Sequence, residues 1–304
     1  MIFPPALNPK DRIALIAPAG YVEHDKLHLA VDAVKNLGFL PILGKYCALR
    51  KGFLAGTDEQ RAADFNWAFA DTDIKAIICL RGGYGAQRIL DKIDFDSIAR
   101  NPKIFCGYSD ITALHTAINQ LTGMITFHTP MAATELYRLD NYSLASFLCA
   151  ISGKDYFAKN PQGHNMQWLV KGKAAGLLCG GNLSLLVSSV GTPYEINTHN
   201  KILFIEETAE PPYKIDRMLR QLKYSGKLNA SAGIILGSFE DCGNRAEILE
   251  ILRELELKIP TLFNFRCGHC LPTASIPLGA AITLDSRFAG FRVAFGANSQ
   301  NQRH

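Results

Sequence analysis

Hydrophobic positions in the first half of the chain switch between two periods. Arg12 to Ala17 (RIALIA) is an apolar run of strand length, closed by Pro18-Ala19-Gly20, and predicts a buried strand. From Asp25 onward, Leu27, Val31 and Val34 recur at i, i+4 and i+7, predicting an amphipathic helix that ends near Gly38. Leu40 to Leu43 gives a second strand, and Asp58 to Ala70 a second helix capped by Thr57 or Asp58. Strands follow at Ile74 to Leu80, Ile104 to Cys106 and Met124 to Phe127, with helices starting near Gln87 and Asp110 between them. Strand and helix alternating at this spacing predict an α/β fold, a parallel sheet with helices on both faces.

The rhythm is lost from Gly153 to Gly172, where the polar stretch Lys159-Asn160-Pro161-Gln162-Gly163-His164-Asn165 reads as a linker. A second α/β region follows. Its β-rich runs are Ala174 to Cys179, Ile202 to Ile205, Gly233 to Leu236 and Ala280 to Leu284, and its helical patterns Leu183 to Val190, Tyr213 to Leu222 and Arg245 to Leu255. The expected division is a domain over 1–152, a linker over 153–172 and a second domain over 173–304. No internal repeat or low-complexity tract interrupts it.

Composition narrows the function classes. A chain of 304 residues buries roughly 75% of its unfolded surface, so it needs no metal or disulfide to fold. Its formal charge of +4 is spread without a run of five like charges, too diffuse for electrostatic nucleic-acid binding. Several of the eight cysteines lie in apolar runs such as Ile77-Ile78-Cys79-Leu80 and read as small buried hydrophobes. The first residues lack a basic segment followed by a long apolar core, and no stretch reaches the 18 or so apolar residues of a membrane span. The expectation is a soluble protein of a reducing compartment, the cytoplasm, without a membrane partner.

Four segments carry candidate chemistry. In Phe105-Cys106-Gly107-Tyr108-Ser109-Asp110-Ile111 a buried strand runs straight into a helical pattern. A serine on such a turn projects its hydroxyl from the sheet edge, with backbone N–H groups of the helix start beside it to hold an oxyanion. The second glycine of the usual Gly-x-Ser-x-Gly elbow is missing, and a simple helix cap at Ser109 or Asp110 is the plain alternative. Arg81-Gly82-Gly83-Tyr84-Gly85 leaves the strand before it at the same edge. Its three glycines let backbone approach a ligand, but the spacing fits neither a P-loop nor a dinucleotide fingerprint. It is either a plain turn, a phosphate cradle or the source of a second oxyanion N–H. Cys267-Gly268-His269-Cys270 is read as a redox pair, a zinc half-site with no second half, or a loop bearing a catalytic base. Phe204-Ile205-Glu206-Glu207 ends a strand with two carboxylates, either of which could orient a histidine, and alternation cannot choose between them.

Together these segments resemble the LD-carboxypeptidase family, the muramoyltetrapeptide carboxypeptidases and their microcin-immunity relatives. The likeness runs through Ile16-Ala17-Pro18-Ala19-Gly20, Arg81-Gly82-Gly83-Tyr84-Gly85, Gly107-Tyr108-Ser109-Asp110 and Phe127-His128-Thr129-Pro130-Met131. It continues through Gly180-Gly181-Asn182-Leu183-Ser184, Phe204-Ile205-Glu206-Glu207, Tyr213-Lys214-Ile215-Asp216-Arg217-Met218-Leu219 and Gly268-His269. The joint order of these segments carries the resemblance.

It implies a Rossmann-like (flavodoxin-like) N-terminal domain and a C-terminal α/β domain with the active site between them, a homodimer, and no cofactor or metal. Ser109 is then the nucleophile, His269 the base and Glu206 the orienting acid, with backbone N–H groups of Gly83 and Asp110 as the oxyanion hole. Cys270 stands where relatives are expected to carry a small residue. Arg81, Gly82, Tyr84 and Asn182 are candidates for holding the substrate, a murein tetrapeptide whose terminal D-Ala is released. Three rivals remain: a relative that hydrolyses a peptide–nucleotide antibiotic, a non-catalytic phosphate or nucleotide binder, and a thiol oxidoreductase using Cys267 and Cys270.

Overall fold

The computed structural model describes residues 1–295. The chain divides into two units, one of Met1–Ser152 with Ser275–Pro277, the other of Gly153–Ala274 with the residues from Leu278 onward.

The first unit alternates β1 (Arg12–Ile16), α1 (His24–Asn36), β2 (Leu40–Leu43), α2 (Asp58–Ala70), β3 (Ile74–Cys79), α3 (Phe95–Arg100), β4 (Ile104–Gly107), α4 (Thr112–Thr122), β5 (Thr126–His128) and α5 (Asn141–Ile151). Its sheet has the order β5-β4-β3-β1-β2, every neighbouring pair parallel. A further strand, β12 (Ile276–Leu278), joins beside β5 from far along the chain. The order reverses at β1, whose neighbours are β2 on one side and β3 on the other. Connections leaving β1 and β3 therefore diverge, which opens a crevice at the carboxyl ends of those strands.

The strands are apolar because helices cover them, as the near-continuous burial of β1, β3 and β4 shows. Phe65 and Phe69 of α2 lock onto Phe105 of β4, with ring centroids 5.2 Å, 5.6 Å and 6.0 Å apart and no exposed surface on any ring. Helix α2 begins where Thr57 accepts the Gln60 N–H and Gln60 returns a side-chain bond to the Thr57 N–H. The helix expected near Gln87 is instead a 3-10 segment, Ala86–Lys92.

The second unit carries β6 (Tyr156–Ala158), β7 (Gln167–Val170), β8 (Lys173–Asn182), α6 (Leu183–Ser188), β9 (Ile202–Thr208), α7 (Pro212–Tyr224), α8 (Lys227–Ala230), β10 (Gly233–Glu240), α9 (Arg245–Glu254), β11 (Thr261–Phe263), β13 (Ala281–Asp285) and β14 (Phe291–Ala294). The sheet order is β6-β14-β13-β8-β9-β10-β11-β7. Its centre, β8 to β11, is parallel and its flanks antiparallel. Ile215, Leu219 and Leu222 of α7 pack at i, i+4 and i+7 into a core with Leu203, Ile205 and Leu236.

Residues 153–172, expected as a linker, correct that reading. They hold β6 and β7, the two edges of this sheet, with loop before, between and after these two short strands. Edge strands of three and four residues, mostly half-exposed, offer too few apolar positions for alternation to register.

All eight cysteines are free thiols. Among the described residues no helix is long and apolar enough to cross a membrane.

Because Phe65 anchors the aromatic cluster, Phe65→Ala is expected to cost about 3–5 kcal/mol in unfolding free energy. Denaturant titration checks this, and a loss below about 1 kcal/mol would show that the cluster is not a cornerstone of the first unit.

Candidate active site

Strand β4 ends at Gly107, Tyr108 is extended, and Ser109 turns left-handed with φ of 64° before α4 begins. A residue with a Cβ adopts that conformation only where the surroundings enforce it. The residues at the cap positions of this turn and of α4 are Tyr108 and Ile111, and neither caps through its side chain. The enforcing neighbour is the glycine loop after β3. A Cβ at Gly82 would lie 3.0 Å from the Ser109 Cβ, 3.2 Å from its Oγ and 3.3 Å from the Asp110 nitrogen. Gly82 is held in turn by its carbonyl, which accepts the Gly20 N–H at 3.0 Å. Gly83 follows with φ of 101°. The first unit thus brings Ser109, Asp110, Gly82 and Gly83 to one sheet edge.

The Asp110 side chain points away from solvent, 2% exposed, and accepts the Ala86 N–H at 2.7 Å. Burial pushes its carboxyl up to about 6, against that hydrogen bond and the nearby Arg61. Arg61 of α2 is a residue that the sequence reading passed over. It is 1% exposed, and its Nη1 donates to the Pro18 carbonyl at 2.5 Å and the Gly85 carbonyl at 2.7 Å, while Nη2 is paired with Asp58. The signal in the sequence was an arginine on the same helix face as Phe65 and Ala68. Beneath β4, the ring of His115 is fully buried with Nε2 2.9 Å from the Gly107 carbonyl, and burial lowers it to about 4. Neutral, it donates to that carbonyl and fixes the strand end before the turn.

Arg81 folds back, donating to the Tyr21 carbonyl at 3.0 Å. Tyr84 is half exposed and meets Phe53 edge-to-face at 5.4 Å.

The second unit holds the other candidates. Glu206, in the last half of β9, has no exposed side-chain surface and accepts from the His269 ring, Nδ1 to Oε2 at 2.7 Å, with the His269 backbone N–H at 3.3 Å from the same oxygen. Two glycines make room. A Cβ at Gly268 would fall 2.4 Å from that Glu206 oxygen, and one at Gly237 3.0 Å from the Glu206 Cβ. A carboxylate accepts only, so His269 donates its Nδ1–H to it, and in that tautomer Nε2 carries the lone pair and is the basic nitrogen.

Glu207 points elsewhere. It accepts from Asn182 Nδ2 at 2.8 Å and from the Ser184 N–H and hydroxyl at 2.7 Å and 2.6 Å. Asn182 also caps α6 through Leu185, so its side chain braces the β8–α6 turn. Of the two glutamates that strand alternation leaves equivalent, Glu206 is the one bonded to the His269 ring and Glu207 the one bonded to Asn182 and Ser184.

Burial drives both thiols of the Cys-x-x-Cys segment upward, Cys267 well above the ordinary thiol range. A redox pair requires the opposite, a stabilised thiolate, so these thiols lack the activation that a redox pair needs. Among the described residues no cluster of three or more histidine, cysteine or acidic side chains could hold a metal ion.

The chain belongs to the LD-carboxypeptidase family, a family of peptidases: residues 13–129 match the LD-carboxypeptidase N-terminal domain and residues 175–284 the C-terminal domain. It is 44% identical to the probable murein peptide carboxypeptidase of Bacillus subtilis over 93% of this chain and 91% of that one. It is 31% identical to the murein tetrapeptide carboxypeptidase of Pseudomonas aeruginosa over 90% and 93%. In structure it matches the microcin C7 self-immunity protein MccF in complex with aspartyl sulfamoyl adenosine, with a TM-score of 0.90, 26% identity and coverage of 97% and 98%.

Asp110 and His115 act on stability with opposite sign over the same pH range. The folded Asp110 keeps a proton that the unfolded chain loses near 3.8, so its contribution falls as the pH rises towards about 6. The folded His115 stays neutral where the unfolded imidazole protonates near 6.5, so its contribution falls as the pH drops towards about 4. Asp110→Asn should therefore steepen the loss of stability on acidification, and His115→Gln should flatten or reverse it. Denaturation midpoints taken through the weakly acid range check this, and equal slopes in the two variants would contradict it.

Proposed function

We propose that this chain is a serine carboxypeptidase that cleaves the L,D-peptide bond to the terminal D-Ala of murein tetrapeptides, in the cytoplasmic recycling of peptidoglycan. The observation that carries this reading is the buried Glu206 carboxylate bonded to His269 Nδ1, which leaves Nε2 as a base. Support comes also from the left-handed turn of Ser109 and from the murein peptidases to which the chain is similar.

In this reading His269 Nε2 takes the Ser109 hydroxyl proton as Oγ attacks the carbonyl of the L-centred diamino acid. Glu206 stabilises the imidazolium so formed. The oxyanion is held by the backbone N–H groups of Asp110 and of the Gly82–Gly83 turn, each such donor contributing about 3–4 kcal/mol. The imidazolium then gives its proton to the departing D-Ala nitrogen, the acyl-enzyme forms, and water activated by His269 releases the shortened peptide and restores the hydroxyl. Arg81, with guanidinium nitrogens beyond the one bonded to Tyr21, is assigned the terminal carboxylate, with Tyr84 and Asn182 as lesser contacts. A homodimer belongs to the same proposal, and light scattering measures it.

A second reading, hydrolysis of an amide in a peptide–nucleotide antibiotic, is favoured by the structural match to MccF with its bound sulfamoyl adenosine. Turnover of a tetrapeptide muropeptide and of a peptidyl-adenylate analogue separates the two, and preference for the adenylate would overturn the murein assignment.

Mass spectrometry of the tetrapeptide after incubation should show loss of one alanine. Ser109→Ala should lower turnover by at least about a thousandfold with the fold intact, and Glu206→Gln should lower it while leaving the substrate's KM nearly unchanged. The double variant Cys267→Ser, Cys270→Ser should retain most activity. A folded but inactive double cysteine variant would restore the thiol reading.

A further inference from the structure

The glycine loop that supplies a proposed oxyanion donor contains Gly82, Gly83 and Gly85, of which Gly83 and Gly85 have positive φ. Such backbone is intrinsically mobile, whereas oxyanion stabilisation needs donors fixed in advance of the reaction. Something must hold the loop. Its start is pinned by the Gly20 N–H on the Gly82 carbonyl. Its end is pinned by two side chains: the Asp110 carboxylate, which accepts the Ala86 N–H while the residue's own backbone N–H is the other proposed oxyanion donor, and Arg61, remote from the proposed chemistry, which donates to the Gly85 carbonyl.

Arg61 does more than tie one loop. The same Nη1 donates to Pro18, in the loop after β1, so one guanidinium joins the connections that leave β1 and β3. Asp58, itself gripped by Arg88 with bonds of 2.8–3.1 Å, holds the other terminal nitrogen of Arg61. Gly85 is glycine for the same reason. A Cβ there would lie 2.9 Å from Arg61 Nη1 and 2.6 Å from Leu54 Cδ2. Taking a guanidinium out of water costs several kcal/mol before any partner is counted. A core that needed only apolar filling at this position of α2 would do better with leucine. The placement makes sense if the two-carbonyl grip is what the position is for.

We infer that Arg61 is a positioning residue for the oxyanion hole: by clamping the Pro18 and Gly85 carbonyls it fixes the Gly82–Gly83 backbone against Ser109. This rests on the serine-peptidase reading above and adds to it a residue remote from the substrate. A lysine keeps the charge but presents a compact ammonium on a flexible stem, without the planar fork that sets two carbonyls in one geometry.

The experiment compares wild type with Arg61→Lys by steady-state release of D-Ala from a murein tetrapeptide, by the rate of Ser109 phosphonylation with a fluorophosphonate, and by circular dichroism with a thermal midpoint. Arg61→Lys should lower kcat by about ten- to a hundredfold, change KM by less than about threefold, and slow phosphonylation in parallel. A purely structural arginine would lower the thermal midpoint while leaving kcat per folded molecule intact. That result, or a loss confined to KM, overturns the inference. If Arg61→Lys does not fold, Gly85→Ala applies the same displacement from the opposite side, and normal turnover in a folded Gly85→Ala is equally fatal. A wild type that neither releases D-Ala nor reacts with the fluorophosphonate sinks the peptidase reading and this inference together. An active wild type with fully active variants sinks this inference alone.

Discussion

The second unit is organised around one buried charge. Glu206 lies within β9 with no exposed side-chain surface, and a carboxylate in that position must be partnered or it destabilises the fold by several kcal/mol. Its partner is His269, brought in by a loop that can reach it only because Gly268 and Gly237 present no side chains there. The loop is itself tied down. Ser238 donates from its backbone and hydroxyl to the Cys267 carbonyl, the Thr273 hydroxyl donates to the Gly268 carbonyl, and Cys267 pairs with Ala274. Requiring the imidazole to stand at one angle thus dictates the sequence of a whole segment.

The nucleophile turn meets the same demand by another route. There the strained element is Ser109 itself, and the backbone of Gly82 lies so close that a Cβ there would press on the Ser109 side chain, 3.0 Å from its Cβ and 3.2 Å from its hydroxyl. Both places put glycine where main chain and reactive group meet. Both keep a polar side chain under cover nearby to hold the geometry, Glu207 with Asn182 in one unit, Asp110 with Arg61 in the other. Local rigidity in each unit comes from buried polar groups bonded to the backbone of neighbouring turns and to one another.

Much of the fold was legible because its elements obey strong periods. β1, β3 and β4 are apolar runs of strand length, and α2 carries both its cap and its stripe. What escaped did so for physical reasons. β6, β7 and β12 are three or four residues long and, unlike the equally short β2, β4 and β5, stand outside the strand–helix alternation that marks those. Glu206 and Glu207 could not be told apart because β9 is buried on both sides and shows no polar face. Arg61 looks in the sequence like any helical arginine, and only its Phe65 and Ala68 neighbours on one face hinted otherwise. Cys267 and Cys270 mimic a redox pair in spacing, and only the depth of their burial, which spacing does not record, argues against it.

The placement of β12 bears on how the protein is made. The first unit's sheet gains its strand beside β5 only when residues 276–278 are available, although every other strand of that sheet is contributed by residue 128. During synthesis the flank of β5 stays unpaired while more than a hundred further residues are added, an interval in which bare sheet edges invite association with other chains. The late arrival of one short strand thus makes the β5 flank the last edge of this sheet to be covered as the chain emerges.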